Sequence, residues 1–286
     1  MDTIDSDAAK LIGSLQQLRS VVVAFSGGVD SSVVAAAAAR ANLRRVLAVS
    51  ADSPSVPRWQ LELAADVARQ IGVEHLVVRT GEGDLPEYRK NDARRCFYCK
   101  ETLYATLSRI AKEYPQAVMV SGTNADDLGD YRPGIEAGNL AQVRTPLADL
   151  GLGKSRVRRL AKHFGLSNHD LPASPCLASR IAYGVEVTVA RLASVEKAEA
   201  LLRQHGLQQL RVRLHADELA RIEVPRDQLG RLIELDRDGE LTGELIRCGF
   251  RYVTVDLQGF QSGSMNRAIV SLDASSLQGE TKGVLR

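Results

Sequence analysis

Val21-Val22-Val23-Ala24-Phe25-Ser26-Gly27-Gly28-Val29-Asp30-Ser31-Ser32 decides the fold. A β-branched apolar run stops at Ser-Gly-Gly, and a helix-forming run from Ser32 to Arg40 begins at once. That order is strand, glycine-rich loop, helix N-terminus. Free backbone N–H groups and the helix dipole at such a junction attract phosphate. The glycines let backbone approach the anion, and the hydroxyls of Ser26, Ser31 and Ser32 add donors. Two familiar phosphate loops are excluded. No Gly-x-x-x-x-Gly-Lys-Ser/Thr supplies a lysine for a terminal phosphate, and no Gly-x-Gly-x-x-Gly marks a dinucleotide site. Asp30 sits inside the loop, where a bare carboxylate would repel the ligand. It makes sense as a holder of magnesium between protein and phosphates.

Ser26 to Ser31 resembles the pyrophosphatase loop, or PP-loop, of ATP enzymes that cleave between the α- and β-phosphates. The resemblance implies ATP and magnesium as cofactors, an adenylated substrate, and a loop that holds the leaving pyrophosphate. The ATP contacts it implies are Ala24, Ser26, Gly27, Gly28, Asp30, Ser31 and Ser32. One motif sets the reaction class and leaves the substrate open.

Composition narrows the setting. The chain has 286 residues, 44% hydrophobic and 25% charged, with a net charge of +2. That length accommodates two domains or one large one. The near-neutral balance gives no strong field toward nucleic acid or membrane. The start, Met1-Asp2-Thr3-Ile4-Asp5, is acidic and lacks the apolar core of a secretory signal. A cytoplasmic enzyme is the expectation, with its four cysteines reduced.

The first half alternates strand and helix signals. After the opening strand, Val46 to Ala51 reads as a buried strand and Arg58 to Ile71 as an amphipathic helix. His75 to Arg79 and Ala117 to Ser121 read as strands, Cys99 to Glu113 and Lys154 to Phe164 as helices. This alternation predicts an α/β domain over residues 1–166, with a parallel sheet covered by helices on both faces. Phosphate loops in such sheets lie at the carboxyl ends of strands, so Ser50, after the second strand, is placed to meet the nucleotide. Residues 167–185 read as a Ser/Pro-rich loop. Residues 186–273 read as a smaller α+β domain: helix Val189 to His205, strands Leu210 to Leu214 and Leu219 to Val224 around a turn at Asp217, interrupted helix Gln228 to Cys248, and strand Tyr252 to Leu257. Gly239 and Gly243 are the expected interruptions. Residues 274–286 read as a fraying tail.

Two further constellations carry chemistry. Gly122-Thr123-Asn124-Ala125-Asp126-Asp127-Leu128-Gly129-Asp130-Tyr131-Arg132-Pro133-Gly134 follows a strand on the phosphate-loop side. Its carboxylates suit magnesium and Arg132 suits a phosphate. The second is Cys96-Phe97-Tyr98-Cys99 with Cys176 in Pro175-Cys176-Leu177-Ala178-Ser179-Arg180. Thiolates select soft metal or iron–sulfur centres, or act in redox chemistry. A redox pair normally follows a strand, and the basic polar run Tyr88 to Arg95 before this pair argues against that use. A structural zinc needs a fourth ligand, for which His169 and Cys248 are the candidates. Cys248 lies in an apolar helix end, which favours a buried inert thiol. Arg180, four residues after Cys176, favours a thiolate there.

The chain as a whole resembles the LarE family of ATP-dependent sulfur transferases, over nearly its full length. The residues that carry the resemblance are Ala24 to Ser32, Asp130 to Gly134, Ser174 to Arg180, Arg211-Val212-Arg213-Leu214-His215 and Gly249 to Asn266. The family's reaction belongs to nickel-pincer cofactor synthesis. A carboxylate of pyridinium-3,5-biscarboxylic acid mononucleotide is adenylated, and a sulfur nucleophile then displaces AMP to give a thiocarboxylate. The resemblance implies an adenine nucleotide alpha hydrolase-like fold and Cys176 as catalytic residue. In one branch that cysteine surrenders its own sulfur. In the other, three cysteines, here Cys96, Cys99 and Cys176, hold a 4Fe-4S cluster that carries sulfide. The two stay open, and the Cys-x-x-Cys is what the sacrificial branch lacks. Gln261 departs from the family, which places arginine there.

Arg211 and Arg213 alternate on one strand and share a face with His215. With Arg180 they are candidates to clamp the substrate phosphate. A solvated outer strand face explains Arg211 and Arg213 equally well. Glu199, on the preceding helix, has no spacing that favours a metal over the surface. The expected partners are the mononucleotide and further copies of the chain, without membrane or strong nucleic-acid binding. Two rival functions stand beside this one: another PP-loop enzyme, such as a tRNA thiolase or an amidotransferase-type synthetase, and a nucleotide-binding regulator without catalysis.

Overall fold

Packing divides the chain into two units. The first holds Met1–Tyr88 and Arg94–Pro175, the second Arg89–Ala93 and Cys176–Arg286. The computed structural model describes residues 3–129, 133–172 and 174–261.

In the first unit, β1 (Ser20–Ala24), β2 (Arg45–Asp52), β3 (Glu74–Arg79) and β4 (Ala117–Ser121) form a parallel sheet of order β3-β2-β1-β4. The valine run of β1 is buried on both faces, as a central parallel strand requires. Its period of two sends Val21 and Val23 into one core and Val22 into the other. The first core contains helix Val29–Arg40, in which every residue from Val33 to Ala38 is buried. Its alanines leave room for helices Thr3–Gln16 and Lys154–His163 to pack against it. Helix Arg95–Lys112 supplies Leu107 to the opposite core. The doubly covered parallel sheet read from the sequence is thus present.

Helix Thr3–Gln16 had no reading in the sequence. It buries Ala8, Leu11 and Leu15, the one-face spacing of an amphipathic helix. Its buried Asp7 is held by Arg156, whose Nε donates at 2.7 Å.

The second unit carries a mixed sheet. β5 (Arg211–His215) pairs antiparallel with β6 (Leu219–Glu223), and β6 pairs parallel with β7 (Tyr252–Val255). Asp217 sits in the β5–β6 turn at φ 58°. Helix Val189–Gln204, whose Thr188 accepts from the Arg191 N–H, buries Leu192, Val195, Ala198 and Leu202. The expected interrupted helix divides into Leu229–Leu235 and Glu240–Arg247. Gly239, at φ 74°, precedes the second of these, whereas Gly243 lies inside it and interrupts nothing. Among the described residues, no helix is long and apolar enough to cross a membrane.

The loop after β4 approaches the phosphate-loop helix more closely than any side chain would permit. A Cβ on Gly122 would lie 2.5 Å from the Ser31 backbone nitrogen. Gly122→Ala is therefore expected to destabilise the protein by about 1–3 kcal/mol, the cost of overpacking a rigid contact. Urea unfolding of the two proteins measures it.

Candidate functional site

The phosphate loop is shaped by its own hydroxyls. Gly27 has φ 71°, and a Cβ there would come within 2.7 Å of the Ala64 backbone. The Ser31 and Ser32 hydroxyls both donate to the Gly28 carbonyl, at 3.1 and 2.8 Å. Ser26 and Ser31 share a hydroxyl hydrogen bond at 3.2 Å. Gly28 caps helix Val29–Arg40 without a side-chain cap hydrogen bond among the described residues. First-turn N–H groups so placed are suited to an anion. Ala24 ends β1 just before this loop.

Ser50 is placed differently from a simple ligand contact. It is buried, donates to the Phe25 carbonyl at 2.8 Å and hydrogen-bonds His75 Nε2 at 2.8 Å. Burial lowers the His75 pKa, which favours the neutral imidazole near neutral pH. The pair braces the strand end from which Ser26 departs.

Asp30 faces the acidic loop after β4. Burial and the nearby Asp127 raise its pKa, against the opposing influence of Asn124, Lys154 and Arg158. Lys154 Nζ lies 3.5 Å from Asp127 Oδ1, and its backbone N–H donates to Asp126 Oδ2 at 2.7 Å. Two carboxylates side by side are costly until a cation joins them. Magnesium fits such a pair, since it takes one or two protein carboxylates and completes its shell with phosphate and water. Lys154 was missed in the sequence, where it read as the first residue of a basic helix.

In the second unit, Cys176 is half-buried and begins the tight turn Leu177–Arg180. Arg180 is 1% exposed and grips that turn from below. Its Nη1 donates to the Cys176 carbonyl at 3.0 Å and to Ser179 Oγ at 3.2 Å, while its Nε meets Glu199 Oε1 at 3.0 Å. Arg203 binds the other Glu199 oxygen at 3.0 Å. Glu199 is therefore a buried partner of arginines and not a surface residue. Downstream of the turn, the Asn91 side chain donates to the carbonyls of Ala182 and Val185, both at 2.8 Å.

Arg213 and Arg221 are paired directly across β5 and β6, which would repel. Buried Glu223 joins them, at 2.9 Å to Arg213 and 3.2 Å to Arg221. Arg213 also donates to the Ser179 carbonyl at 3.2 Å. Arg211 stacks over Phe260 with 5.1 Å between guanidinium carbon and ring centroid. Burial, then neighbouring Arg180, lowers its pKa to about 10; Arg213 and Arg203 push the same way and Glu199 opposes. This excess of buried positive charge suits an anion. The solvated-face reading of Arg211 and Arg213 does not hold. His215 shares the strand, and burial with Arg221 and Arg213 lowers its pKa.

Cys96 and Cys99 lie in the first unit, in the opening turn of helix Arg95–Lys112; Cys176 lies in the second. No disulfide joins the four cysteines, and Arg95 donates to Cys96 Sγ at 3.8 Å. Among the described residues, no group of three or more His, Cys, Asp or Glu side chains is set to hold a metal. His169 hydrogen-bonds the Leu166 carbonyl through Nδ1 at 3.0 Å. Cys248 closes helix Glu240–Arg247, and burial raises its pKa, which keeps it a thiol. Arg132 and residues 274–286 lie outside the described residues.

Comparison with known proteins adds family information. Residues 13–129 match the asparagine synthase family. An uncharacterised protein of Synechocystis sp. is 42% identical over 88% of this chain and 94% of its own length. The pyridinium-3,5-bisthiocarboxylic acid mononucleotide synthase of Lactiplantibacillus plantarum is 35% identical over 93% of this chain and 96% of its own. An uncharacterised protein of Methanocaldococcus jannaschii is 27% identical over 85% and 92%.

The Glu199 network generates a prediction about acid stability. Burial alone would raise the Glu199 pKa, but Arg180, Arg203 and Arg211 outweigh it and the net shift is downward. Its stabilising effect is therefore fully present above the ordinary carboxyl range and is lost as pH falls through the lower folded value. Glu199→Gln should cost about 3 kcal/mol near neutral pH by leaving buried Arg180 uncompensated. The deficit should shrink below about pH 4. Urea titrations across that range measure both.

Proposed function

We propose that this chain, which belongs to the LarE family of PP-loop ATP pyrophosphatases, adenylates a substrate carboxylate and converts it to a thiocarboxylate. The observation that carries the reading is a phosphate loop with Asp30 beside Asp127 in one unit and a braced Cys176 turn in the other. The proposed substrate is pyridinium-3,5-biscarboxylic acid mononucleotide, in nickel-pincer cofactor synthesis. Its support is the activity for which the L. plantarum relative is named and the near-complete overlap of the two chains. A cytoplasmic homo-oligomer is part of the proposal.

A carboxylate is a poor acyl electrophile until adenylation gives it a good leaving group. Its oxygen attacks the α-phosphorus, and the bond to the β-phosphate oxygen breaks. Asp30 and Asp127 would hold magnesium, which would supply positive charge for the departing pyrophosphate. The first-turn N–H groups of helix Val29–Arg40 and the Lys154 ammonium add to that stabilisation. Ser26, Gly27, Gly28, Ser31 and Ser32 form the cradle; Ala24, Ser50 and Arg132 are proposed to complete the ATP site. A sulfur nucleophile then attacks the acyl carbon, and AMP leaves.

Arg211 is the proposed contact for the substrate's phosphate, with Arg213 and Arg180 held behind it by Glu223 and Glu199. Cys176 is the proposed sulfur-handling residue. A 4Fe-4S centre on Cys96, Cys99 and Cys176 is the proposed sulfur store, and it would supply sulfide at an iron without a protein ligand. The support is the donor set alone, and no step above depends on it.

The products with magnesium and substrate should be AMP and pyrophosphate; ADP would contradict the proposal. Asp30→Ala should abolish turnover. Asp30→Asn should also be inactive yet more stable than the metal-free parent at neutral pH. Folding raises the Asp30 pKa, so its ionisation costs stability as pH rises, and an amide avoids that cost. Thermal melts of both proteins without magnesium give the sign.

Cys176→Ala should lose sulfur transfer, and Cys248→Ala should keep it. With a cluster-bound donor, Cys96→Ala and Cys99→Ala lose activity and the chain keeps its mass after turnover. A loss of about 34 Da in intact-mass measurement would make the Cys176 thiolate itself the donor.

A further inference from the structure

Asn168 lies beyond helix Lys154–His163 in a stretch with no catalytic signature, and its side chain is only 3% exposed. Its amide nitrogen donates to the Gly27 carbonyl at 2.7 Å and to the Ser32 hydroxyl at 2.9 Å. Ser32 in turn donates to the Gly28 carbonyl at 2.8 Å. Both carbonyls of the Gly-Gly pair are therefore held from the side of Asn168. The amide cannot be turned over, because its oxygen would then face the Gly27 carbonyl and the Ser32 hydroxyl oxygen already committed as a donor. As it stands, Asn168 Oδ1 is buried with no hydrogen-bond partner among the described residues. Leaving a buried acceptor unpaired is costly, and the two donated bonds are what offset it.

The consequence concerns one peptide plane. In a trans peptide the C=O and N–H point in opposite directions. Fixing the Gly27 carbonyl on Asn168 turns the Gly28 N–H away from it, toward the Ser26 hydroxyl at 3.3 Å. Glycine flanks this plane on both sides, so its backbone can adopt other orientations at little steric cost. A plane so free needs a clamp if it is to present N–H to an anion. We propose that Asn168 is a positioning residue that holds the Gly27–Gly28 peptide so that its N–H, which rests on the Ser26 hydroxyl at 3.3 Å in this structure, can turn to the departing pyrophosphate. This rests on the adenylating reading above and adds to it a residue that touches no substrate.

The test is binding calorimetry on the full chain with magnesium pyrophosphate and, separately, AMP. Asn168→Leu is close in size, removes both donors and adds no charge. It should weaken pyrophosphate by about tenfold or more while leaving AMP within about twofold, since AMP lacks the phosphates that this peptide serves. Equal weakening of both ligands, or unchanged pyrophosphate affinity, would overturn the inference. A measurement on the unaltered protein covers a variant that fails to fold. The Gly28 amide resonance should move downfield when magnesium pyrophosphate is added, and a stationary resonance overturns the proposal. A parent protein that binds AMP and no pyrophosphate would instead overturn the adenylating reading beneath it.

Discussion

Close approach of backbone to backbone at the phosphate loop is the constraint on which the first unit depends. Gly27 has no space for a Cβ beside Ala64, and Gly122 has none beside Ser31. Two segments, helix Arg58–Ile71 and the loop after β4, therefore converge on the turn between β1 and helix Val29–Arg40. The alanine-rich helix is the counterpart of that constraint, because small side chains let it lie tightly in the core. Confinement fixes the course of the loop, and within it the Gly27 carbonyl and the Ser32 hydroxyl are held by Asn168. In the proposed site the cationic share comes from outside the turn, through Lys154 and a cation held by Asp30 and Asp127.

The second unit solves a different problem, the burial of charge. Arg180, Glu199, Arg213 and Glu223 are all nearly inaccessible, and each charge is paired. Such pairs contribute modestly to stability relative to an apolar core, but removing one partner is expensive. Their value here is geometric. Arg180 ties the Cys176 carbonyl to the core of the unit, and Arg213 ties the Ser179 carbonyl to β5 and β6. The sulfur-bearing turn thereby inherits the rigidity of a helix and a sheet. Arg211, with its pKa lowered to about 10, stands where a bound anion would relieve repulsion.

What the sequence made legible follows from range. The β1–loop–helix junction is local: the strand, the glycines and the helix start lie within twelve consecutive residues, and hydrophobic period distinguishes them. The parallel sheet followed from alternation of those periods. The roles of Asn168, Asn91 and Glu199 were not legible, because each acts on a segment distant in sequence through a hydrogen bond that leaves no period. Asn168 reaches back to Gly27, and Asn91 reaches forward to Val185. Lys154 was hidden for the same reason, its partner Asp127 belonging to another loop. Helix Thr3–Gln16 was overlooked because its acidic start masked a short apolar face.

The phosphate loop is proposed to activate a carboxylate of a pyridinium mononucleotide. Exchange of labelled pyrophosphate into ATP reports that step alone, before any sulfur moves. Exchange that requires the dicarboxylated pyridinium mononucleotide, and persists in Cys176→Ala, is the predicted result. Exchange that proceeds equally without that nucleotide, or that is absent in its presence with magnesium and ATP, would contradict the account.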